Sequence, residues 1–225
     1  MTKVQELWEE LRSVFAGRGV KLLDTVLPVV VFLAANPGLG IPLALGLSIG
    51  TSLIFFLIRL LKKDNLYYAL AGLGAVLLAG LFAFLSDSAA GFFLPGLISS
   101  GLTVLLLLIS AAVKRPLAAL TSHLTRSWPL DWYWHPRVRP AYSEVTLFWA
   151  VGFSLRLGLE YWLYLQDAVG SLGLIRTVLG WPYTILLLIL SYLYGLWRLG
   201  KLTGPSVEEF TSGASEPWQG QKRGF

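Results

Sequence analysis

Apolar blocks about 20 residues long recur along this chain, and that length crosses a ~30 Å hydrocarbon core as a helix. Six can be read, at residues 21–35, 41–61, 66–85, 92–113, 145–165 and 172–197. A water-soluble core does not need uninterrupted runs of this length. Composition agrees: 55% of the 225 residues are hydrophobic and only 14% are charged, against roughly a quarter charged in soluble domains. The expectation is an all-α integral membrane protein, a six-transmembrane-helix bundle, with the lipid bilayer as its first partner. The first block is the shortest; it holds Asp24 and is interrupted by Pro28.

Charge orients the bundle. All of the 18 Lys and Arg residues except Arg156 and Arg176 fall at the amino terminus, after the second block, after the fourth, or in the carboxyl tail. The other connections, "NPGLG", "SDSAAG" and "QDAVGS", contain none. The positive-inside rule then puts both termini in the cytoplasm of a multi-pass protein. This bias accounts for the net charge of +5 without a nucleic-acid partner. The first 20 residues are too polar for a signal-peptide core, so insertion is expected to rely on the spans themselves.

The second, fourth and sixth blocks each carry a proline in the outer half (Pro42, Pro95, Pro182) and basic residues at the inner end. Three parallel-repeated helical hairpins fit this pattern. The plainer reading is that any outside-to-inside span ends in Lys or Arg. Small residues four apart let helices approach closely, which marks Gly46 and Gly50, and the row Ala71, Ala75, Ala79 and Ala83, as packing positions. They serve contacts within the bundle or, alternatively, a homo-oligomer seam.

Flanking segments differ in character. In residues 1–20, Val4, Leu7, Trp8, Leu11 and Phe15 share one helical face, giving an amphipathic amino-terminal helix. The cytoplasmic loop 114–144 carries Trp128, Trp132, Tyr133 and Trp134, which suit the headgroup layer. Residues 201–225 are polar and Gly/Ser-rich and read as a mobile tail on the membrane domain 21–200.

The stretch "FSLRLGLEYW" places Arg156 and Glu160 inside an apolar block. Four apart, they share a face. The next block runs antiparallel and brings Arg176 to a similar depth, so the three form a candidate buried charged cluster. A charge facing lipid costs ~2.5 kcal/mol or more, so the charged face turns inward. Two readings stand. One is an ion cluster that sets helix register, since buried pairs add little net stability. The other is a path for an anion or a proton. Asp24 is a secondary polar position, near enough to Lys21 or Arg59 to pair.

Chemistry for catalysis is missing. With no cysteine there is no thiolate or cysteine metal site. The two histidines, His123 and His135, are too far apart in sequence for a recognisable metal motif. No nucleophile motif or phosphate-binding loop appears. The expectation is a non-enzymatic protein without cofactor or metal.

The strings "FFLPG" (92–96), "VKRPL" (113–117), "RPAYSEVTLFWAVGFSLRLGLEYWLY" (139–164) and "LGLIRTVLGWP" (172–182) resemble an uncharacterised bacterial family of multi-pass membrane proteins, a domain of unknown function. The resemblance implies a fold and an inner-membrane location, and no catalytic residue. "LPVVVF" (27–32) and "KRPL" are similar, more distantly, to intracellular septation protein A. That likeness implies an envelope or cell-division scaffold with membrane-protein partners. The alternative is a transporter or channel for a small anionic solute or proton, centred on Arg156, Glu160 and Arg176.

Overall fold

The computed structural model describes the main chain of residues 3–62, 66–222 and 224–225, and the side chains of residues 27–62, 70–222 and 224–225. Among the described residues every regular element is helical. The side chain of Asp24 and the apolar face of the amino-terminal helix lie outside the described side chains. The chain divides into two compact units, Met1–Pro95 with Leu163–Gly173, and Gly96–Trp162 with Leu174–Phe225.

The first unit is built on α1 (Lys3–Leu61), α2 (Leu66–Leu85) and a 3-10 turn (Ala89–Phe93). α1 is not straight. Gly40 has φ 74° and ψ 171°, a region open essentially to glycine alone. The Ser48 hydroxyl donates to the Pro28 carbonyl at 2.8 Å. Twenty residues of straight helix span ~30 Å, so this bond requires the chain to reverse at Gly40. The connection expected over "NPGLG" is thus compressed: helix persists to Leu39 and resumes at Ile41.

The packed face of the second arm is Ala44, Ser48 and Ser52, each buried. Gly46 and Gly50 are displaced from it by two residues, about 200° round the helix. Among the described residues, a Cβ at either would meet nothing within 4 Å. Among the described residues the contacts of this arm are made by the serine face, not by the glycine pair: glycine spacing alone cannot say which face a neighbour takes. The alanine row divides as well. Ala79 and Ala83 are buried, whereas Ala71 and Ala75 are exposed. The close approach is at Gly80, where a Cβ would stand 3.4 Å from Leu45 Cδ2. At the end of α2, Ser88 caps the 3-10 turn, accepting from Ala90 N–H and donating to Asp167 at 2.6 Å.

Three segments are long and apolar enough to cross a membrane among the described residues: Leu27–Leu61, Ala89–Ala112 and Val169–Leu202. Six blocks were expected, and the difference has physical causes. Residues 27–61 contain two expected blocks joined through Gly40. The described apolar part of α2, Leu70–Leu85, is short. Helix α6 (Arg139–Leu165) carries four charged residues and so loses hydropathy. The sixth block is not one helix: α7 (Val169–Val178) and α8 (Trp181–Leu202) meet at Gly180, ahead of Pro182.

In the second unit, α3 (Leu94–Ala112), α6 and α8 are joined by α4 (Leu117–Arg126) and α5 (Leu130–Trp134). Pro116 and Pro129 precede α4 and α5, where the extended conformation forced near proline stops one helix and starts the next. Trp132, Tyr133 and Tyr142 are fully buried in a core with Ala118, Ala119, Val138, Ala141, Val145 and Leu199. Burying each ring contributes about 3 kcal/mol. Trp132 and Tyr133, assigned to the headgroup layer from sequence, are therefore interior residues; Trp128 and Trp134 are half-buried. Their polar tips are satisfied inside: Trp132 Nε1 donates to the Pro205 carbonyl at 2.9 Å and the Tyr133 hydroxyl to Ser122 Oγ at 3.0 Å. Burial also raises the pKa of both the Tyr133 and Tyr142 phenols, keeping them protonated.

The tail expected to be mobile is laid against this core. The Phe225 ring stacks on Tyr142 at 4.2 Å, and Arg126 Nε donates to the Phe225 main-chain oxygen at 3.0 Å. Glu209, in α9 (Val207–Thr211), pins the rest. Its carboxylate accepts from the N–H groups of Ser206 at 2.8 Å, Gln219 at 2.7 Å and Gly220 at 3.3 Å. The Ser206 side chain completes a capping box. These donors hold the Glu209 carboxyl below the usual range, the Ser206 N–H first, then that of Gln219.

A carboxyl with a depressed folded pKa contributes stability that is present above its unfolded value and is lost as pH falls through the folded one. The hydrogen-exchange protection factors of Gln219 and Gly220 should therefore fall as the pH is lowered below about 4. Glu209→Gln should show fast exchange already at neutral pH and no acid transition. An unchanged profile in that variant would mean that Glu209 does not hold the tail.

Candidate functional site: a buried Arg–Glu–Arg cluster

On α6, Gly152, Arg156 and Glu160 follow one another at four-residue spacing and so line one face. Gly152 seats α8: a Cβ there would stand 3.0 Å from both Leu187 Cδ1 and the Tyr183 hydroxyl. That hydroxyl donates to the Gly152 carbonyl at 3.0 Å. The close approach turns the charged face toward protein. One turn on, Arg156 Nε donates to Glu160 Oε1 at 2.7 Å. Arg176 Nη1 stands 3.8 Å from Glu160 Oε2. The Glu160 side chain is 0% exposed, Arg156 16% and Arg176 26%. The structure thus brings together all three residues of the predicted cluster.

The two halves of the carboxylate are not equivalent. Oε1 has a charge-assisted hydrogen bond of ideal length. Oε2 is buried without a hydrogen bond among the described residues, and Arg176 reaches it only as an ion pair. Two guanidiniums and one carboxylate leave the cluster with a charge of +1. At low dielectric that excess is not screened as it would be in water.

Backbone positions the third member. Arg176 sits on α7 just before the break. A Cβ at Gly180 would lie 2.8 Å from the Arg176 carbonyl, so the turn needs glycine. Gly96, in the first turn of α3, is in contact with the Arg176 guanidinium, whose terminal nitrogen occupies the place of any Cβ. Gly96 belongs to the quoted string "FFLPG", but its role was not legible there, because its partner lies 80 residues on. Beside Arg156, a cavity of about 180 Å³ is lined by Ser100, Thr103, Phe153 and Arg156.

A second polar contact was missed from sequence. Glu144 accepts from Arg198 Nε at 2.7 Å, from Arg198 Nη2 at 2.8 Å and from the Tyr194 hydroxyl at 2.7 Å. It clamps the start of α6 to the end of α8. The available signal was an acidic residue opening one block and a basic residue closing the next. The histidines are structural: His123 Nδ1 lies 2.6 Å from the Trp128 carbonyl, and the His135 ring packs edge-on against Phe210 and Trp218. Burial, and then Arg137, hold His135 below its usual pKa, and Glu216 opposes them.

Glu160→Gln should lower stability by roughly 3 kcal/mol or more, because it removes the carboxylate that two arginines share. The triple change Arg156→Met, Glu160→Leu and Arg176→Met should cost far less, since no charge is left inside. Thermal unfolding of the purified protein measures both. A neutral Glu160→Gln would show that the pairing contributes nothing.

No curated protein and no solved structure matches the chain. The likeness to intracellular septation protein A therefore rests on its short motifs alone. Residues 17–196 match the family model described as "Protein of unknown function (DUF3159)", and the chain belongs to that family.

Proposed function

We propose that this is a non-enzymatic, multi-pass protein of the bacterial inner membrane that acts as an envelope or cell-division scaffold. Six spans put both termini and the folded cap of α4, α5, α9 and the tail in the cytoplasm. The observation that carries the reading is the cap itself. Its aromatic core ties loop residues to tail residues through Trp132–Pro205 and Tyr142–Phe225. A folded cap of this kind, carrying Lys114, Arg115, Arg126 and Arg137, suits binding to a membrane-protein partner or a second copy. The burial of Glu160 supports the same reading, because a carboxylate with 0% exposure held between two arginines suits a role in fixing helix register.

A second reading is a transporter or channel for a small anionic solute or proton. The observation in its favour is the cavity at Arg156. In a strain lacking the gene, complementation separates the two. Under the scaffold reading, the triple cluster variant should restore cell length and division, and Trp132→Ala or deletion of residues 204–225 should not. Loss of complementation by a stably inserted cluster variant, with the cap deletion still active, would favour transport.

Topology is tested in the same cells, because the chain has no native cysteine. Cysteines introduced at the exposed positions Gly38 and Gln166 should react with an impermeant thiol reagent in intact cells. Cysteines at the exposed positions Thr125 and Ser215 should react only after lysis. External labelling of Thr125Cys would overturn the six-span, termini-inside arrangement.

A further inference from the structure

The cavity beside Arg156 is unusual in what it is offered. Arginine has five N–H donors and no acceptor. Among the described residues, Arg156 uses only Nε, toward Glu160 Oε1, which leaves both terminal nitrogens without a protein acceptor. Ser100, also lining the cavity, has no side-chain hydrogen bond in the protein among the described residues, and its hydroxyl can donate. Thr103 has already given its proton to the Ser99 carbonyl at 2.9 Å. Phe153 supplies an apolar wall. The site is therefore rich in donors, poor in acceptors and next to a cluster of charge +1.

Size and charge narrow the occupant. A volume of about 180 Å³ holds several waters, each taking ~30 Å³ of liquid, but not a drug-sized ligand. A cation would meet the Arg156 guanidinium and no carboxylate among the lining residues, since Glu160 Oε1 is taken by Arg156. A single negative charge would neutralise the cluster, whereas a divalent anion would reverse its sign. We propose that the cavity formed by Ser100, Thr103, Phe153 and Arg156 is a binding site for one small monovalent inorganic anion of the chloride or nitrate class. Arg156 supplies the charge and two donor nitrogens, and Ser100 a third donor. Glu160 acts as a positioning residue, fixing the guanidinium through Nε so that its outer edge stays turned to the anion.

This assignment is independent of the scaffold reading. It concerns occupancy at equilibrium, and complementation by the cap variants does not bear on it. The full chain, purified and exchanged into gluconate at constant ionic strength, is titrated with chloride, nitrate and sulfate while its thermal unfolding midpoint is followed. A ligand that binds only the folded state raises the midpoint with saturation. Chloride and nitrate should do so and sulfate should not. Ser100→Leu fills the cavity and leaves every charge in place; it should abolish the saturable rise. Ser100→Ala removes one donor and should weaken apparent affinity about tenfold. Arg156→Gln should abolish the response, and the two serine variants keep the test valid if that protein fails to fold. A rise that does not saturate, an equal response to sulfate, or an unchanged response in Ser100→Leu would each overturn the proposal.

Discussion

The geometry of the second unit depends on a carboxylate placed where water does not reach. A buried carboxylate in an apolar helix face needs cations to meet it, and Arg156 and Arg176 do so. Arg156 comes at no topological cost, being one turn away on the same helix. Arg176 does not. To bring it in, α7 must end early, Gly180 must make the turn, and Gly96 must give up its side chain to let the guanidinium pass. The break in the sixth apolar block, its Gly180 and the Gly96 of the fourth block thus follow from one negative charge.

The same logic explains why Gly152 stands where it does. An inward-facing charged stripe needs a neighbour close enough to exclude lipid, and a helix with a side chain at 152 would hold α8 away. Close backbone approach and buried charge are two aspects of one requirement. At the other end of α6, Glu144 and Arg198 are half-exposed and pair without such backbone accommodation. The contrast shows how much of the cluster's architecture is imposed by dryness rather than by attraction.

Those elements governed by local rules were legible in the sequence. Helix content, the apolar character of the helices and the shared face of Arg156 and Glu160 follow from periodicity and length, and Arg176 does meet Glu160. What escaped was determined by neighbours distant in the chain. Glycine spacing marked Gly46 and Gly50, but the packed face was Ala44, Ser48 and Ser52, because serine hydroxyls can satisfy themselves on a helix carbonyl and pack as small residues. The aromatic loop looked interfacial because amphipathic rings suit a headgroup layer. They suit an interior equally well once a carbonyl such as that of Pro205 takes the polar tip. Composition made residues 201–225 look like free chain, whereas the three backbone donors gathered by Glu209, the Phe225–Tyr142 stack and the Trp132–Pro205 bond show otherwise.

The span between Trp132 and Pro205 has a temporal meaning. The indole finds its acceptor 73 residues downstream, and Arg126 finds the Phe225 main-chain oxygen 99 residues downstream. During synthesis at roughly 5–20 residues per second, the loop leaves the ribosome several seconds before its partners exist. In that interval α8 and the tail have yet to be made, and Trp132, Tyr133 and Tyr142 have no finished core to enter. The tryptophans of the nascent loop suit a membrane surface meanwhile. The headgroup affinity read from the sequence would then describe an assembly intermediate, displaced when the tail closes over the rings.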